Sequence, residues 1–221
     1  MKRLIITIDG PAGAGKSSVA KFLAQKLDYL YIDSGAIYRA FALAACESGI
    51  DPEDEEAIEN FCRAGGLSFL WDKDEFRSFY HGEEVTDKIR TEAVGDLASI
   101  FSTRPQVRQH LTGLQRELGE EGGVVLEGRD AGTVVFPQAD LKFFLDASLE
   151  IRAQRRREEL AQMGREAPIS EVLEDLVRRD IRDKGRAIAP LMVPPGGIVI
   201  DTTHLTIPQV VDEILGYIAG R

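Results

Sequence analysis

The sequence predicts an α/β fold in which a parallel sheet is covered by helices. Two observations carry that expectation. Short, continuously apolar runs recur at Leu4–Ile8, Tyr29–Ile32, Val124–Leu126, Leu141–Leu145 and Ile198–Ile200, and a polar or glycine-containing turn follows each; strands buried on both faces have this character. Amphipathic stretches of helical period lie between the runs, and strand-then-helix alternation implies right-handed βαβ units and helices packed on the sheet.

In chain order, helices are expected at Lys16–Leu27, Ile37–Glu47, Glu55–Cys62, Ala93–Ser102, Pro105–Leu118, Leu149–Met163, Ser170–Asp183 and Ile207–Ile218. One segment breaks the rhythm. Leu67–Trp71 and Arg77–Tyr80 are aromatic-rich, and the turn-like Asp72–Glu75 separates them. They read as an antiparallel hairpin with a third short strand around Glu84–Val85, after His81-Gly82, inserted into the α/β core.

The 221 residues fit one compact domain with room for such an insert. With 27 Lys+Arg against 37 Asp+Glu, the formal charge is −10. That balance argues against a nucleic-acid polymer as partner, which needs a net basic face. A small anionic ligand stays open, because local arginines can override the mean field. No run approaches the roughly 20 apolar residues of a membrane span. The N-terminal Met1–Ile8 is too short in its apolar part for a signal peptide, and Asp9-Gly10-Pro11 follows without a cleavage site. Cys46 and Cys62 make neither a disulfide framework nor a zinc site, and both are expected in the core. The cytosol is the expected compartment. The acid run Glu47–Glu59, with seven acids and no base, reads as a solvated helix start and loop.

Gly10-Pro11-Ala12-Gly13-Ala14-Gly15-Lys16-Ser17, followed by Ser18, matches the phosphate-binding pattern G-x-x-x-x-G-K-[ST], with a strand before it and a helix after it. Glycines let successive backbone N–H groups converge on phosphate oxygens, and the helix N-terminus adds partial positive charge. Lys16 is placed to reach the β- and γ-phosphates and the Ser17 hydroxyl to ligate Mg²⁺. A nucleoside triphosphate is the implied ligand.

No Asn-Lys-x-Asp stretch exists to read guanine, and the third buried strand runs into Glu127-Gly128-Arg129-Asp130, where ligands bind in doubly wound sheets. Arg129 and Asp130 read as site residues or as a structural ion pair. Asp33–Arg39 follows the second strand; Ser34 reads as a helix N-cap, a phosphate contact or both. Arg152, Arg155 and Arg156 are spaced for one helix face. Arg179, Asp183 and Arg186 are too, although Gly185 is placed to end that helix first. Arg178–Arg186 carries five bases and two acids, a local +3 that suits phosphate, onto which Arg forks bidentately. These features point to a small-molecule kinase. Acceptors such as UMP or shikimate, and a nucleotide-dependent switch, remain as alternatives.

Five blocks closely resemble the bacterial cytidylate kinases of the nucleoside monophosphate kinase family: I-T-I-D-G-P-A-G-A-G-K-S (Ile6–Ser17), D-S-G-A-I-Y-R (Asp33–Arg39), E-G-R-D-A-G-T-V-V-F-P (Glu127–Pro137), F-L-D-A-S (Phe144–Ser148) and R-R-D-x-R-D-x-x-R-A-x-A-P-L (Arg178–Leu191). The resemblance implies a five-stranded parallel P-loop core (1–35, 121–150 and 187–221), a monophosphate-binding part enlarged by the β insert (about 36–120) and a helical lid (about 151–186). It implies transfer of the γ-phosphoryl group of ATP to CMP or dCMP with Mg²⁺, by a monomer. Arg39, Arg129 and Arg186 would hold the acceptor phosphate, with Ser34 and Tyr38 nearby. Ser99, Arg108 and Asp130 would read cytosine, Arg179 with Asp183 would clamp the sugar, and Arg155 with neighbouring lid arginines would cover the transferring group. Glu127 stands where Asp is common, Lys184 where Arg is common, and Ser17-Ser18 where Gly-Thr is frequent.

Overall fold

The computed structural model describes residues 3–72, 75–162 and 164–220. Its centre is a five-stranded, all-parallel sheet of β1 (Ile5–Asp9), β2 (Leu30–Asp33), β6 (Val124–Gly128), β7 (Leu141–Asp146) and β8 (Ile198–Asp201), in the order β2-β6-β1-β7-β8. The expected α/β class and all five strands are therefore present. The strands are apolar because both faces are covered: Ile6, Ile8, Ile32, Val125, Leu126, Phe143 and Leu145 are all buried, each contributing roughly 1.5–3 kcal/mol by leaving water. Helices α1 (Lys16–Leu27), α2 (Ser34–Glu47), α3 (Glu55–Ala64), α4 (Glu92–Phe101), α5 (Pro105–Leu118), α6 (Leu149–Gln162), α7 (Ile169–Lys184) and α8 (Ile207–Ala219) fall on the expected stretches within a few residues. Met163, placed in the sixth of these by the sequence, lies outside the described residues.

The aromatic insert is a separate antiparallel sheet of β3 (Leu67–Asp72), β4 (Glu75–Tyr80) and β5 (Glu83–Glu84). The interior of the expected turn, residues 73 and 74, lies outside the described residues. The third strand falls one residue earlier than expected, since Val85 is buried and its N–H donates to the Ser78 carbonyl beyond the ladder. Trp71 and Phe76 meet the Tyr31 ring edge-on, at centroid distances of 5.2 and 6.0 Å, and so anchor the insert to β2.

Two further expectations are corrected. Ser34 is not the N-cap of α2: Asp33 is, its Oδ1 accepting from the Ala36 N–H at 2.9 Å. Asp outcompetes because its carboxylate reaches the third N–H and carries charge at the positive end of the helix. Cys46 is exposed and Cys62 half-buried rather than both lying in the core. The buried stripe of α2 runs through Ile37, Phe41, Ala44 and Ala45, and Cys46 falls off it in the last turn. Among the described residues no helix is long and apolar enough to cross a membrane.

Candidate active site

The carboxyl ends of β1, β2 and β6 open into one cleft of about 690 Å³, walled on the far side by α4, α6 and α7. At its floor, Gly10–Lys16 wraps the N-terminus of α1. The loop is pressed between two backbones. A Cβ on Gly10 would stand 2.0 Å from the Leu145 carbonyl oxygen, and one on Gly13, at φ +77°, 2.9 Å from that of Arg152. Only glycine fits either place. The first turn of α1 has no side-chain cap and no acid, so its N–H groups and partial charge face the cleft, an arrangement built for phosphate. Lys16 is buried, and its Nζ donates to the Pro11 carbonyl at 2.8 Å. Burial, then the Arg129 charge, pushes its pKa down to about 8, against the pull of Glu127, Asp183 and Asp9.

Ser17 Oγ donates to Glu127 Oε1 at 2.6 Å, and the buried Tyr31 hydroxyl approaches the same oxygen at 3.4 Å. Burial and the neighbouring Asp33 carboxylate raise the Glu127 pKa. Two carboxylates that repel one another beside a hydroxyl form an all-oxygen donor set of the kind a hard divalent cation takes.

The cleft is also lined by Ser34, Tyr38, Arg39, Ser99, Arg108, Arg129, Asp130, Arg179, Asp183 and Arg186, the residues expected to bind the monophosphate. Arg39 leaves α2 and is held by the Ile89 and Thr91 carbonyls at 3.2 and 3.0 Å. Burial, with Arg179 close by, lowers its pKa. Gly95 lets α4 pass: a Cβ there would stand 2.9 Å from the Arg39 guanidinium. Arg108 and Asp130 form an ion pair buried on both sides, with the guanidinium 5.7 Å from the centre of the Tyr38 ring. Burial, partly offset by Arg108, raises the Tyr38 pKa to about 12, so it stays a neutral phenol.

Helix α7 ends at Lys184 and Gly185 caps it, as the sequence suggested, yet Arg186 turns back so that Asp183 binds two arginines. Arg129 Nε lies 2.8 Å from one carboxylate oxygen and Arg186 NH2 2.6 Å from the other. Burial alone would raise the Asp183 pKa, but the two guanidinium groups outweigh it and hold the carboxyl below its ordinary range. Its stabilisation is therefore present above the unfolded pKa near 4 and lost as pH falls through the lower folded value. Asp183→Asn is expected to melt below the parent at pH 7, with the gap closing below about pH 4. A gap that stays constant on acidification would contradict this assignment.

The α6 arginines do not share a role. Arg152 is buried; it pairs with Asp180 of α7 at 2.7 Å and donates to the Ala12 carbonyl of the phosphate loop at 3.2 Å. Arg155 turns to Thr202, donating to its carbonyl at 2.6 Å and hydroxyl at 3.0 Å, near Gly15 and outside the cleft lining. Arg156 alone of the three faces the cleft. The one helix face expected from their spacing is divided among different partners: side chains at i, i+3 and i+4 span enough arc for the loop and α7 to hold Arg152 and for Thr202, just past β8, to hold Arg155, while Arg156 pairs with Glu159 of its own helix at 3.1 Å. Ser99, expected near the base, accepts from Arg182 at 2.7 Å, and Arg165 pairs with Glu92. Both contacts bring the α6–α7 region onto α4. The sequence reading does not anticipate Asp33 as a cap, Arg152 as a tie between α6, α7 and the glycine loop, or Asp9. The Asp33 cap is local, an acid three residues before the N–H it accepts from, and could have been found there; Arg152 and Asp9 act through contacts set by the tertiary fold and carry no such signal.

A sequence profile described as cytidylate kinase matches residues 6–220. The chain belongs to the cytidylate kinase family. A cytidylate kinase from Citrifermentans bemidjiense is 48% identical over 209 residues, covering 95% of this chain and 90% of its own length. One from Ligilactobacillus salivarius is 44% identical over 221 residues, covering 100% and 99%. The crystal structure of an uncharacterized protein from Eubacterium ventriosum shares the fold at a TM-score of 0.53 and 14% identity, over 99% of this chain and 100% of that one. The protein is a nucleoside monophosphate kinase, a phosphotransferase of the cytidylate kinase family.

Proposed function

We propose that the cleft transfers the γ-phosphoryl group of ATP to CMP or dCMP, with ATP on Gly10–Ser18 and the monophosphate among Ser34, Tyr38, Arg39, Ser99, Arg108, Arg129, Asp130, Arg179, Asp183 and Arg186. The observation that carries it is the convergence of Arg39, Arg129 and Arg186 on the same cleft that Lys16 lines. An acidic protein that turns these cations inward is built to hold two polyanions together. No protein nucleophile is needed. An oxygen of the acceptor phosphate attacks the γ-phosphorus in line as ADP leaves, and the arginines and Lys16 position both groups and neutralise the charge spread over the transferring oxygens.

Mg²⁺ fits the oxygen set of Ser17, Glu127 and Asp33, and would neutralise charge between the β- and γ-phosphates. Arg156, and Arg155 after release from Thr202, would cover the transferring group. In this reading residues 36–120 bind the monophosphate and 151–186 form the lid on a core of 1–35, 121–150 and 187–221. Cytosine recognition falls to the Arg108–Asp130 pair, since a carboxylate accepts from the exocyclic amine of cytosine and repels the carbonyl of uracil. A cytoplasmic monomer with no membrane or nucleic-acid partner completes the proposal. The test is a coupled assay with ATP and CMP, dCMP, UMP, AMP or shikimate, with and without Mg²⁺. ADP release is expected with CMP and dCMP far above the others and only with the metal. Equal rates with UMP, or ATP hydrolysis indifferent to any acceptor, would overturn the reading.

A further inference from the structure

Asp9 closes β1 without any exposed surface and makes two bonds into a different part of the chain. Its Oδ1 accepts from the Ala131 N–H and its Oδ2 from the Gly132 N–H, both at 2.7 Å. These N–H groups open a π-helical turn, Ala131–Val135, that begins one residue after Arg129 and Asp130. Asp130 is the N-cap residue of that turn by position and does not cap it, because its carboxylate is committed to Arg108. The cap comes instead from the neighbouring strand. The far side of the turn is equally tight: a Cβ on Gly132 would stand 2.7 Å from Thr7 Oγ1 and 3.2 Å from Pro194.

The arrangement has a cost. Burial raises the Asp9 pKa to about 6, against its two N–H bonds, while the Asp130 charge raises it and Lys16 lowers it. A neutral acceptor would cap the turn without burying an ion, but only an ionised carboxylate accepts with both oxygens at once.

We propose that Asp9 is a positioning residue for acceptor selection, fixing the backbone at 130–132 so that the Asp130 carboxylate and the Arg129 guanidinium stand in register in the cleft. The proposal rests on the reading of that cleft as the monophosphate site. Asp9 touches no substrate; it acts through the turn. In Asp9→Asn one backbone N–H keeps its acceptor while the other meets an amide N–H, so the turn must shift on one side only.

The experiment measures kcat/KM for CMP and for UMP, KM for ATP, and the melting temperature, in the parent and in Asp9→Asn. Asp9→Ser, with a single acceptor oxygen, is the second variant. Displacements below 1 Å in a positioned group carry rate effects of up to about 100-fold. The CMP-over-UMP ratio is therefore expected to fall at least about fivefold in both variants, with KM for ATP changed less than about twofold. The ratio does not depend on the folded fraction, so even a poorly stable variant decides. A lowered melting temperature or lowered rates with an unchanged CMP-over-UMP ratio would make Asp9 merely structural and overturn the proposal. Failure of the parent itself to prefer CMP would instead remove the reading of the cleft on which it rests.

Discussion

Lys16→Ala is expected to lower kcat by roughly 100- to 1,000-fold, the loss typical when one preorganised donor is taken from a transferring oxygen. The fold should survive, since among the described residues the lysine's side chain donates to the Pro11 carbonyl of its own loop and to no other group. Removing a buried ammonium also removes the desolvation that lowers its pKa, so the variant should melt close to the parent. The effect belongs to the transition state. ATP affinity should therefore fall less than kcat does, and Lys16→Arg should recover little, because a planar fork does not fit a site shaped for a point charge. Near-normal turnover in the alanine variant would remove the phosphate loop from the reaction.

The second large effect is on the acceptor. Arg39→Ala and Arg186→Ala should each weaken CMP binding about 10- to 150-fold, or about 1.5–3 kcal/mol for a charge-assisted contact. The two should differ in their side effects. Among the described residues the Arg39 guanidinium is held by the Ile89 and Thr91 carbonyls, so its loss leaves neutral acceptors behind. Arg186 shares Asp183 with Arg129, so its loss leaves that carboxylate to Arg129 alone and draws Arg129 closer to it. Arg186→Ala is thus expected to lower kcat as well as affinity, and Arg39→Ala chiefly affinity. Calorimetry finding CMP affinity unchanged in both would place the acceptor phosphate elsewhere.

The parts of this molecule legible in the sequence are those written locally. Ile6–Ile8 and Val124–Leu126 read as buried strands because both faces of the sheet are covered, and Gly10–Ser17 reads as a phosphate loop because close backbone approach demands glycines at fixed spacing. Arg129 and Asp130 at a strand exit, Arg39 after the second strand, and Arg179, Asp183 and Arg186 by spacing are legible in the residues themselves, Arg108 through resemblance alone, and all of them line one cleft. What stayed hidden depends on partners distant in sequence. Asp9 serves a turn 122 residues away, and Arg155 is captured by Thr202, 47 residues on. No periodicity encodes such pairings. Asp183 shows the same limit: helical spacing put it on a face with Arg179, while its bonds go to Arg129 and, past the helix end, to Arg186.

That last pairing changes which substitution reports on selectivity. Asp183→Ala would strip two arginines of their carboxylate and so disturb the acceptor phosphate together with any sugar contact. Asp130 is the cleaner probe, because among the described residues its ion pair is with Arg108 alone. The most direct test of cytosine recognition in this cleft is kcat/KM for CMP and for UMP in Asp130→Asn beside the parent. Asparagine donates as well as accepts, so it tolerates the uracil carbonyl that a carboxylate repels. The CMP-over-UMP ratio is expected to narrow by about tenfold or more, with KM for ATP little changed. An unaltered ratio would contradict cytosine recognition at Asp130 and leave the cleft a monophosphate site whose selectivity is set elsewhere.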